Sequence, residues 1–260
     1  MSKTALITGA SSGIGLELAR YHASKGGDVI LAARREQALT SLKSELEDKH
    51  GITAHVLVAD LAADNGAAKL YADVNDLGVS VDILINNAGF GGHGKHIDRD
   101  LSDELQMIDL NVKALVELTH RFGRDMAKAG GGKILNVGST AGFAPGPNQA
   151  VYFATKAFVN SFSQAIDHEL RDKGVTCTVL APGYVKTEFA EVANLGSTKL
   201  IQQGGATAKD VAKHGYDAMM QGKLVTINET RLSVLLNWVI PLMPRRLVLK
   251  IFGDMQEKQA

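Results

Sequence analysis

A short apolar run that leads directly into a glycine-rich turn and a helix is the feature that most constrains this chain. The run Thr4–Thr8 is followed by Gly9-Ala10-Ser11-Ser12-Gly13-Ile14-Gly15 and by a helical pattern over Ile14–Ser24. Glycine accepts positive φ and lets the backbone approach a ligand closely. A helix that begins at such a turn presents free N–H groups and a positive dipole end to an anion. The arrangement therefore predicts a phosphate-binding turn, and the alternative for the spacing G-x-x-x-G-x-G alone is a plain tight turn.

Short apolar runs and helix-length segments alternate through the rest of the chain. The runs are nearly continuous in apolar residues, as in strands that are covered on both faces. They are Val29–Ala33, Ala54–Ala59, Asp82–Asn86, Lys133–Val137, Thr176–Leu180 and Leu224–Ile227. The expected helices are Glu36–Lys49, Ala63–Leu77, Asp103–Ala129 and Ala150–Lys173. This order predicts an α/β fold with a single Rossmann-like, doubly wound parallel sheet of about seven strands and helices on both faces, in one domain over residues 1–260.

Composition excludes several other classes of protein. The 28 basic and 28 acidic side chains balance, so the chain lacks the positive excess of a nucleic-acid-binding protein and no nucleic-acid partner is expected. The single cysteine, Cys177, excludes an intramolecular disulfide and fits a reducing, cytoplasmic location. No apolar run approaches the roughly 20 residues that span a bilayer, and the first residues are typical of a strand rather than a signal peptide.

The end of the second strand indicates which dinucleotide the turn would bind. Dinucleotide folds that bind NAD place an acid about 20 residues after the glycines, where it contacts the ribose 2′-hydroxyl. This chain has Ala33 there, followed by Arg34 and Arg35. An arginine can neutralise a 2′-phosphate, so the sequence favours NADP(H) over NAD(H). The two arginines also fit a solvated helix start, and Glu36 is a carboxylate that weighs against the preference.

Chemistry-bearing side chains follow the fourth and fifth strands and the next helix. Asn86–Gly89 and Ser139 end strands, so we expect them to project towards the ligand crevice of the sheet. Tyr152 and Lys156 are four residues apart and share a helix face. A neighbouring ammonium favours the phenolate of a tyrosine, and a pKa shift of three units corresponds to roughly 4 kcal/mol. This pair therefore predicts a proton donor or acceptor that works near neutral pH.

Taken together, these motifs resemble the short-chain dehydrogenases/reductases, a family of Rossmann-like oxidoreductases. The resemblance extends from Thr8 to about Thr187, and the longer C-terminal tail resembles a bacterial branch of the family whose substrates are undefined. The matching motifs are Thr8-Gly-Ala-Ser-Ser-Gly-Ile-Gly15, Asp60, Asn86-Asn-Ala-Gly89, Asn111, Ser139, Tyr152-x-x-x-Lys156 and Pro182-Gly183.

The resemblance implies a role for each matching residue. Tyr152 would exchange a proton with the substrate oxygen, and Ser139 would hydrogen-bond to that oxygen. Lys156 would hold the nicotinamide ribose and lower the pKa of Tyr152. Asn111 would position a water in the proton relay. The implied cofactor-binding residues are Gly9, Ser11, Ser12, Gly13, Ile14, Gly15, Arg34, Asp60, Leu61, Asn87, Ala88, Gly89, Tyr152, Lys156, Pro182, Gly183, Val185 and Thr187.

Three further segments carry weaker signals. His93 and His96 have no evident third ligand, so no metal site is predicted. Residues 188–206 are expected to form a substrate lid with hinge glycines at 196, 204 and 205 and an apolar lining from Phe189, Val192, Leu195, Leu200 and Ile201. Residues 230–260 form a helical extension that is divided by Pro241 and Pro244. This tail is expected to pack against the pocket or a second subunit, and contact with a membrane surface is the less favoured alternative.

The leading functional hypothesis is an NADP(H)-dependent oxidoreductase that transfers a hydride between the nicotinamide and an apolar ketone or secondary alcohol. A 3-oxoacyl carrier-protein reductase is an alternative within the same class, although no basic patch for an acidic carrier is evident. A non-catalytic, nucleotide-binding redox sensor is the alternative from another class. The resemblance also implies a homodimer or homotetramer that pairs through Asp103–Ala129 and Ala150–Lys173.

Overall fold

Seven parallel strands form the central sheet of the computed structural model, which describes residues 3–196, 198–202 and 204–258. Their order is β3-β2-β1-β4-β5-β6-β9. The strands are β1 Thr4–Thr8, β2 Asp28–Ala33, β3 Ala54–Val58, β4 Ile83–Asn86, β5 Gly132–Val137, β6 Val175–Leu180 and β9 Val225–Thr226. The strand order reverses direction between β1 and β4, which is where open α/β sheets bind ligands beyond the carboxyl ends of their strands. The predicted Rossmann-like sheet is confirmed.

Helices cover both faces of this sheet because successive strand residues point to opposite sides. On one face Ala5 and Ile7 pack with α1 Gly13–Ala23, α2 Glu36–His50 and α9 Ala208–Met220. On the other face Leu6 packs with α3 Gly66–Asp76 and α5 Leu115–Lys128, together with the last turn of α6 Ala150–Leu170. Each face therefore has its own apolar core, and the near-continuous apolar character of the strands follows from burial on both sides.

The helix predicted over Asp103–Ala129 is present as one continuous helical segment, with an irregularity that the sequence did not predict. The segment consists of α4 Leu101–Ile108, a π-helical turn over Asp109–Ala114, and α5. The π turn contains Asn111, whose side chain exchanges two hydrogen bonds with the backbone of Phe90. A π turn adds one residue to the helix without breaking it, and such turns are found mostly at functional sites. The other predicted elements agree with the structure to within about three residues at either end.

The segment predicted as a lid is closed at its base by a second, two-stranded sheet. Strands β7 Val185–Lys186 and β8 Ala206–Thr207 pair in parallel, and α7 Phe189–Val192 and α8 Lys199–Gln202 lie between them. Leu195 is buried here and Phe189 and Ile201 pack beside it. Val192 is largely exposed, so its predicted place in an apolar lining is wrong. The side chain of Leu200, which was also predicted in that lining, lies outside the described part of the chain, as do residues 197 and 203.

The C-terminal extension is helical and is divided as its prolines predicted. It comprises α10 Thr230–Val234, a π turn over Leu235–Val239, a 3₁₀ turn over Ile240–Leu242, and α11 Arg245–Gln256. Pro241 lies at the start of the 3₁₀ turn and Pro244 precedes the first residue of α11, where the missing N–H is not needed. Within the described ranges, none of the helices is both long enough and apolar enough to cross a bilayer.

Candidate active site

The glycine-rich turn connects β1 to α1, and no side chain of the turn itself caps the start of the helix. Gly9 and Gly13 adopt φ of 67° and 55°, a region that favours glycine. Ser12 occupies the N-cap position without a side-chain hydrogen bond to the helix, and the first turn of α1 contains no acidic residue. The N–H groups and the positive end of the helix dipole therefore remain available to an anion. These features fit the pyrophosphate of a dinucleotide.

Asn87 holds the glycine-rich turn to the end of β4. Its Nδ2 donates to the carbonyl oxygens of Thr8 and Gly9, at 3.0 and 3.3 Å. The Thr8 hydroxyl in turn accepts from the backbone N–H groups of Asn87 and Ala88. A Cβ at Gly15 would collide with Asn87 Nδ2 and the Gly9 oxygen, so close packing requires glycine at that position. The side-chain amide of Asn87 thus fixes the shape of the cradle.

Asn86 does not face the crevice, contrary to the sequence-based expectation. Its side chain is buried and donates to the Thr119 hydroxyl at 3.0 Å and to Asn136 Oδ1 at 2.9 Å. Because side chains alternate across a strand, Asn86 points into the helix layer while the backbone that follows it turns towards the crevice. Its role is to join β4, β5 and α5 in the core.

Arg35 rather than Arg34 contacts the glycine-rich turn. Arg35 Nε donates to Ser11 Oγ at 3.2 Å, and its Nη2 donates to the Ser11 carbonyl at 3.3 Å. The same guanidinium forms an exposed ion pair with Glu188 at 3.0 Å and lowers the pKa of that carboxyl. Arg34 is exposed at the end of β2. The structure thus brings a cation to the expected edge of the cradle, but from the neighbouring position.

Ser139, Tyr152 and Lys156 meet at the carboxyl end of β5. Ser139 begins the 3₁₀ turn Thr140–Phe143, and its Oγ accepts from the N–H of Ala141 at 3.0 Å. The Ser139 hydroxyl lies close enough to Tyr152 to lower the pKa of its phenol. Lys156 Nζ is buried, donates to the Val137 carbonyl at 2.8 Å and lies 5.9 Å from the centre of the Tyr152 ring. The three side chains predicted to act together are therefore neighbours.

Burial determines the proton affinities of this group. It raises the pKa of Tyr152 to about 12, and the Ser139 hydroxyl opposes the rise without reversing it. Burial also lowers the pKa of Lys156 to about 8. The expectation that Lys156 lowers the pKa of Tyr152 is therefore not met, because loss of hydration is the largest influence on this pKa and Lys156 is not among the groups that shift it. Tyr152 is a protonated phenol and Lys156 a cation at neutral pH.

Asn111 lies one layer behind these residues. Its Oδ1 accepts from the N–H of Phe90 at 3.1 Å, and its Nδ2 donates to the Phe90 carbonyl at 2.9 Å and the Thr155 hydroxyl at 3.2 Å. A Cβ on Gly89 would lie 2.8 Å from Asn111 Oδ1 and 3.6 Å from Lys156 Nζ. The absence of a side chain at Gly89 therefore leaves space between the end of β4 and Lys156, and a larger residue at position 89 would fill that space.

The loop after β6 closes the other side of the cradle. Pro182 accepts two hydrogen bonds from Thr140, and Val185 is buried at the start of β7. Thr187 approaches Gly13, since a Cβ on that glycine would lie 3.2 Å from Thr187 Cγ2. Gly183 lies beside Leu232 of the C-terminal extension. Asp60 is exposed and caps the turn that follows β3, where Leu61 is buried.

Aromatic side chains and the end of α11 surround Tyr152. The ring of Phe189, from the lid, lies 5.3 Å from that of Tyr152, and Phe252 lies 6.2 Å from Phe153. Gln149, which precedes α6, donates to Gln256 Oε1 at 2.5 Å. The Gln256 carbonyl also contacts His93 Nε2 at 2.6 Å. The surroundings of Tyr152 thus include an apolar side chain from the lid and a polar edge contributed by the tail.

Sequence reasoning missed two residues that position the group. Asn160 Nδ2 donates to the Ser139 carbonyl at 3.0 Å, and the Thr155 hydroxyl accepts from Asn111. Asn160 continues the spacing of four residues that relates Tyr152 to Lys156, so the helix periodicity contained the signal. Gly138 and Gly142 provide the space for Asn160, because a Cβ at either position would collide with it.

The two histidines near the pocket have structural partners. His93 contacts Gln256 as described, and His96 Nδ1 lies 3.3 Å from Glu104, which also binds Arg99. Among the described residues, no group of three His, Cys, Asp or Glu side chains is arranged to hold a metal ion.

A parallel sheet with a phosphate cradle at its switch point and a Ser-Tyr-Lys group beside it defines a nicotinamide-dependent oxidoreductase fold. The family model for short chain dehydrogenases matches residues 3–197, and the chain belongs to that family. The chain is an oxidoreductase of the kind that acts on CH–OH or C=O groups with a nicotinamide cofactor.

Known proteins with a similar sequence or structure include three bacterial enzymes. Sulfoacetaldehyde reductase 2 of Chromohalobacter salexigens is 38% identical over 198 residues, which cover 75% of this chain and 78% of that enzyme. A 3-oxoacyl-[acyl-carrier-protein] reductase of Rickettsia prowazekii is 33% identical over 201 residues, 77% of this chain and 80% of that protein. A short-chain dehydrogenase from Sphingobium yanoikuyae in complex with NADPH superposes with a TM-score of 0.84 at 29% identity and covers 99% of this chain and 98% of its own.

Proposed function

We propose that this protein transfers a hydride between NADP(H) and an apolar ketone or secondary alcohol, with Tyr152 as the proton donor or acceptor. The observation that carries the proposal is the convergence of Ser139, Tyr152 and Lys156 beneath an aromatic lid. The nicotinamide, when bound, supplies or accepts the hydride. The remaining chemistry belongs to side chains of this chain.

Tyr152 and Ser139 act on the substrate oxygen. With a pKa raised to about 12, Tyr152 holds its proton at neutral pH and donates it from Oη to an oxygen that becomes an alkoxide. Ser139 acts on the pKa of Tyr152, and its Oγ is held in place by the N–H of Ala141. It thus offers a preorganised hydroxyl to the same substrate oxygen. The protonated state favours carbonyl reduction as the easier direction at neutral pH.

Lys156 and Asn111 support the proton donor. Lys156 remains a cation below its pKa of about 8 and lies on the same helix face as Tyr152. Its charge favours the phenolate as it forms, and its ammonium also suits a ribose hydroxyl. Asn111 fixes the backbone of Phe90 and faces Gly89, from which a water could relay a proton towards Lys156.

Arg35 and Arg34 are the proposed selectors of NADP(H). Arg35 is already fixed beside Ser11 by two hydrogen bonds, at the edge of the cradle where a 2′-phosphate would lie. No carboxylate occupies the end of β2, where NAD-binding folds place one. An arginine binds phosphate through charge-assisted hydrogen bonds. The solved relative from Sphingobium yanoikuyae, which contains NADPH, supports the same cofactor.

An apolar substrate is proposed because Phe189 lies over the proton donor. Gly91 lies against Phe189, Tyr152 and Ala193, and a side chain at position 91 would collide with the Phe189 ring. The apolar surface near Tyr152 is therefore the one formed by Phe189, while Gln149 and Gln256 make another edge of the same region polar. Sulfoacetaldehyde is small and charged, so the name of that relative supports a carbonyl substrate without supporting an apolar one.

A carrier-protein reductase is the second candidate, and the Rickettsia relative supports it by name. The test is a screen of turnover with NADPH and NADH against aryl and cyclic ketones, small polar aldehydes, and 3-oxoacyl thioesters. We expect NADPH-dependent reduction of the bulky ketones. Preferential reduction of the thioesters would favour the second candidate. Absence of turnover with any carbonyl, despite NADPH binding, would contradict the proposed activity.

We also propose a cytoplasmic homo-oligomer that pairs through α4, α5 and α6. Exposed apolar side chains on these helices include Leu101, Leu105 and Phe158, and the Phe158 ring stacks on Phe162 at 5.6 Å. Apolar helix faces of this kind commonly mark interfaces. Light scattering is expected to give a dimer or tetramer, and a strict monomer at micromolar concentration would contradict the proposal.

A further inference from the structure

The C-terminal extension is attached to the protein through one face only. Leu236, Ile240 and Val248 are buried in a small core with Val179 and Ala181 of the β6 end. Phe252 and Gln256 attach the end of α11 beside the pocket, as described above. These contacts fix the orientation of the segment, so the side chains on its opposite side have a defined position rather than a random one.

The opposite side carries an unusual density of exposed apolar side chains, and we name these residues the outer face. Trp238 is 74% exposed and Leu242 is 86% exposed. The outer face comprises Val234, Leu235, Trp238, Val239 and Leu242, which recur at helical spacing on one side of the chain. Five exposed large apolar residues within nine consecutive positions exceed what single, scattered surface residues explain, and such patches mark binding surfaces.

Four cations border the outer face, and the nearest acidic residues in the sequence, Glu229 and Asp254, lie just outside this segment. Arg231, Arg245, Arg246 and Lys250 are all exposed, and the sequence contains no Asp or Glu from Thr230 to Gly253. None of the ion pairs found among the described residues includes these four cations. The whole chain is neutral, so this segment is a local concentration of positive charge.

The combination of chemistry on the outer face points to one occupant. We infer that the outer face binds the headgroup region of an anionic lipid bilayer, with Trp238 and Leu242 in the acyl boundary and the four cations at the phosphates. Helices that lie in a bilayer interface combine Trp and Leu on one side with Lys and Arg beside them. A symmetric contact between two copies would instead bring the unpaired cations of both copies together. The tail thus packs beside Tyr152 through one side, as the sequence led us to expect, and the membrane contact that was less favoured there is assigned to the side chains that remain exposed.

Trp238 makes the inference directly measurable because it is the only tryptophan of the chain. The full-length protein would be titrated with vesicles of phosphatidylcholine alone and of phosphatidylcholine with phosphatidylglycerol. We expect the Trp emission to shift to shorter wavelength, and the protein to float with the vesicles, only when phosphatidylglycerol is present. Acyl chains brominated near the headgroup should quench the emission, and added salt should weaken binding.

Two variants and two controls identify the surface responsible. Arg245→Glu/Arg246→Glu should weaken flotation at least about 25-fold, since each cation near an anionic surface contributes about fivefold. Trp238→Ser/Leu242→Ser should abolish it. Lys49→Glu/Lys209→Glu, with the same change of net charge, and Met220→Ser/Leu224→Ser, with the same loss of exposed apolar residues, should bind as the wild type does. Circular dichroism would establish that each variant is folded.

Three outcomes would overturn the inference. The first is absence of flotation on anionic vesicles by a folded wild-type protein. The second is equal binding by the outer-face variants and their controls. The third is a Trp emission that shifts with protein concentration and ignores vesicles, which would show that a second copy covers the outer face.

Discussion

Replacing Tyr152 by phenylalanine separates the chemistry of this residue from its packing. The ring contacts with Phe189 and Phe153, at 5.3 and 6.2 Å between ring centres, would survive the change. Only the hydroxyl, which the Ser139 hydroxyl influences, would be lost, and with it at most one hydrogen bond. A single hydrogen bond contributes about 1 kcal/mol to the free energy of unfolding, so the variant should remain folded.

The expected loss of activity is far larger than the loss of stability. A positioned proton donor accelerates a reaction by about 10²- to 10⁴-fold, which corresponds to roughly 3–5 kcal/mol of transition-state stabilisation. We therefore expect kcat for ketone reduction to fall by that factor, while the Kd for NADPH measured by fluorescence titration changes less than about threefold. The assay is NADPH oxidation followed spectrophotometrically with a ketone from the substrate screen.

A second tyrosine provides a matched control. Tyr71 donates a hydrogen bond to Asp125 at 2.6 Å, on helices remote from the pocket. Tyr71→Phe should lower stability by about 1 kcal/mol and leave kcat unchanged. If Tyr152→Phe retained more than half of the wild-type kcat, the assignment of Tyr152 as proton donor would be refuted. The variant lacks only the hydroxyl, so retained activity would show that this hydroxyl does not donate the proton.

The remaining predictions concern pH, the cofactor and the cradle. Reduction should decline as pH rises through about 8, because Lys156 loses its charge there while Tyr152 keeps its proton; a pH–rate profile that is flat to pH 9.5 would contradict this. Arg35→Ala should weaken NADPH binding about 10- to 100-fold and leave NADH binding unchanged, as expected for a lost charge-assisted hydrogen bond. Calorimetry on this variant and on Arg34→Ala would show which arginine selects the phosphate. Gly15→Ala should lower the free energy of unfolding, measured by chemical denaturation, by about 1–3 kcal/mol and abolish cofactor binding, because its Cβ would collide with Asn87 and Gly9. Gly196→Ala should have neither effect, because a Cβ there meets open space.

The sheet and the positions of the site were predictable because they depend on local patterns. Continuous apolar runs such as Thr4–Thr8 are required wherever a strand is covered on both faces, and they alternate with helices in only a few possible topologies. The order of motifs along the chain therefore placed Ser139 at the carboxyl end of a strand and Tyr152 with Lys156 on one face of the next helix. The structure confirms that they are neighbours.

Other features depend on three-dimensional surroundings that a linear pattern does not contain. The π turn at Asn111 accompanies two hydrogen bonds between the Asn111 amide and the backbone of Phe90, which is 21 residues away. The direction of the Tyr152 pKa shift follows from burial by the lid and the tail, and the sequence contains only the favourable lysine spacing. Arg35 contacts the cradle where the sequence led us to expect Arg34. Which of the two arginines reaches the cradle depends on the backbone conformation just after β2, and a predicted strand does not determine that conformation.

The most direct test of the account follows the hydride itself. A ketone from the screen would be reduced with NADPH that carries deuterium at C4 of the nicotinamide, in each of its two stereoisomers, and the alcohol would be analysed by mass spectrometry. The account predicts that one stereoisomer places a single deuterium on the carbinol carbon at the wild-type rate and that Tyr152→Phe slows this labelling about 10²- to 10⁴-fold. An alcohol that contains no deuterium from either stereoisomer, formed while NADPH is consumed, would contradict direct hydride transfer at this site.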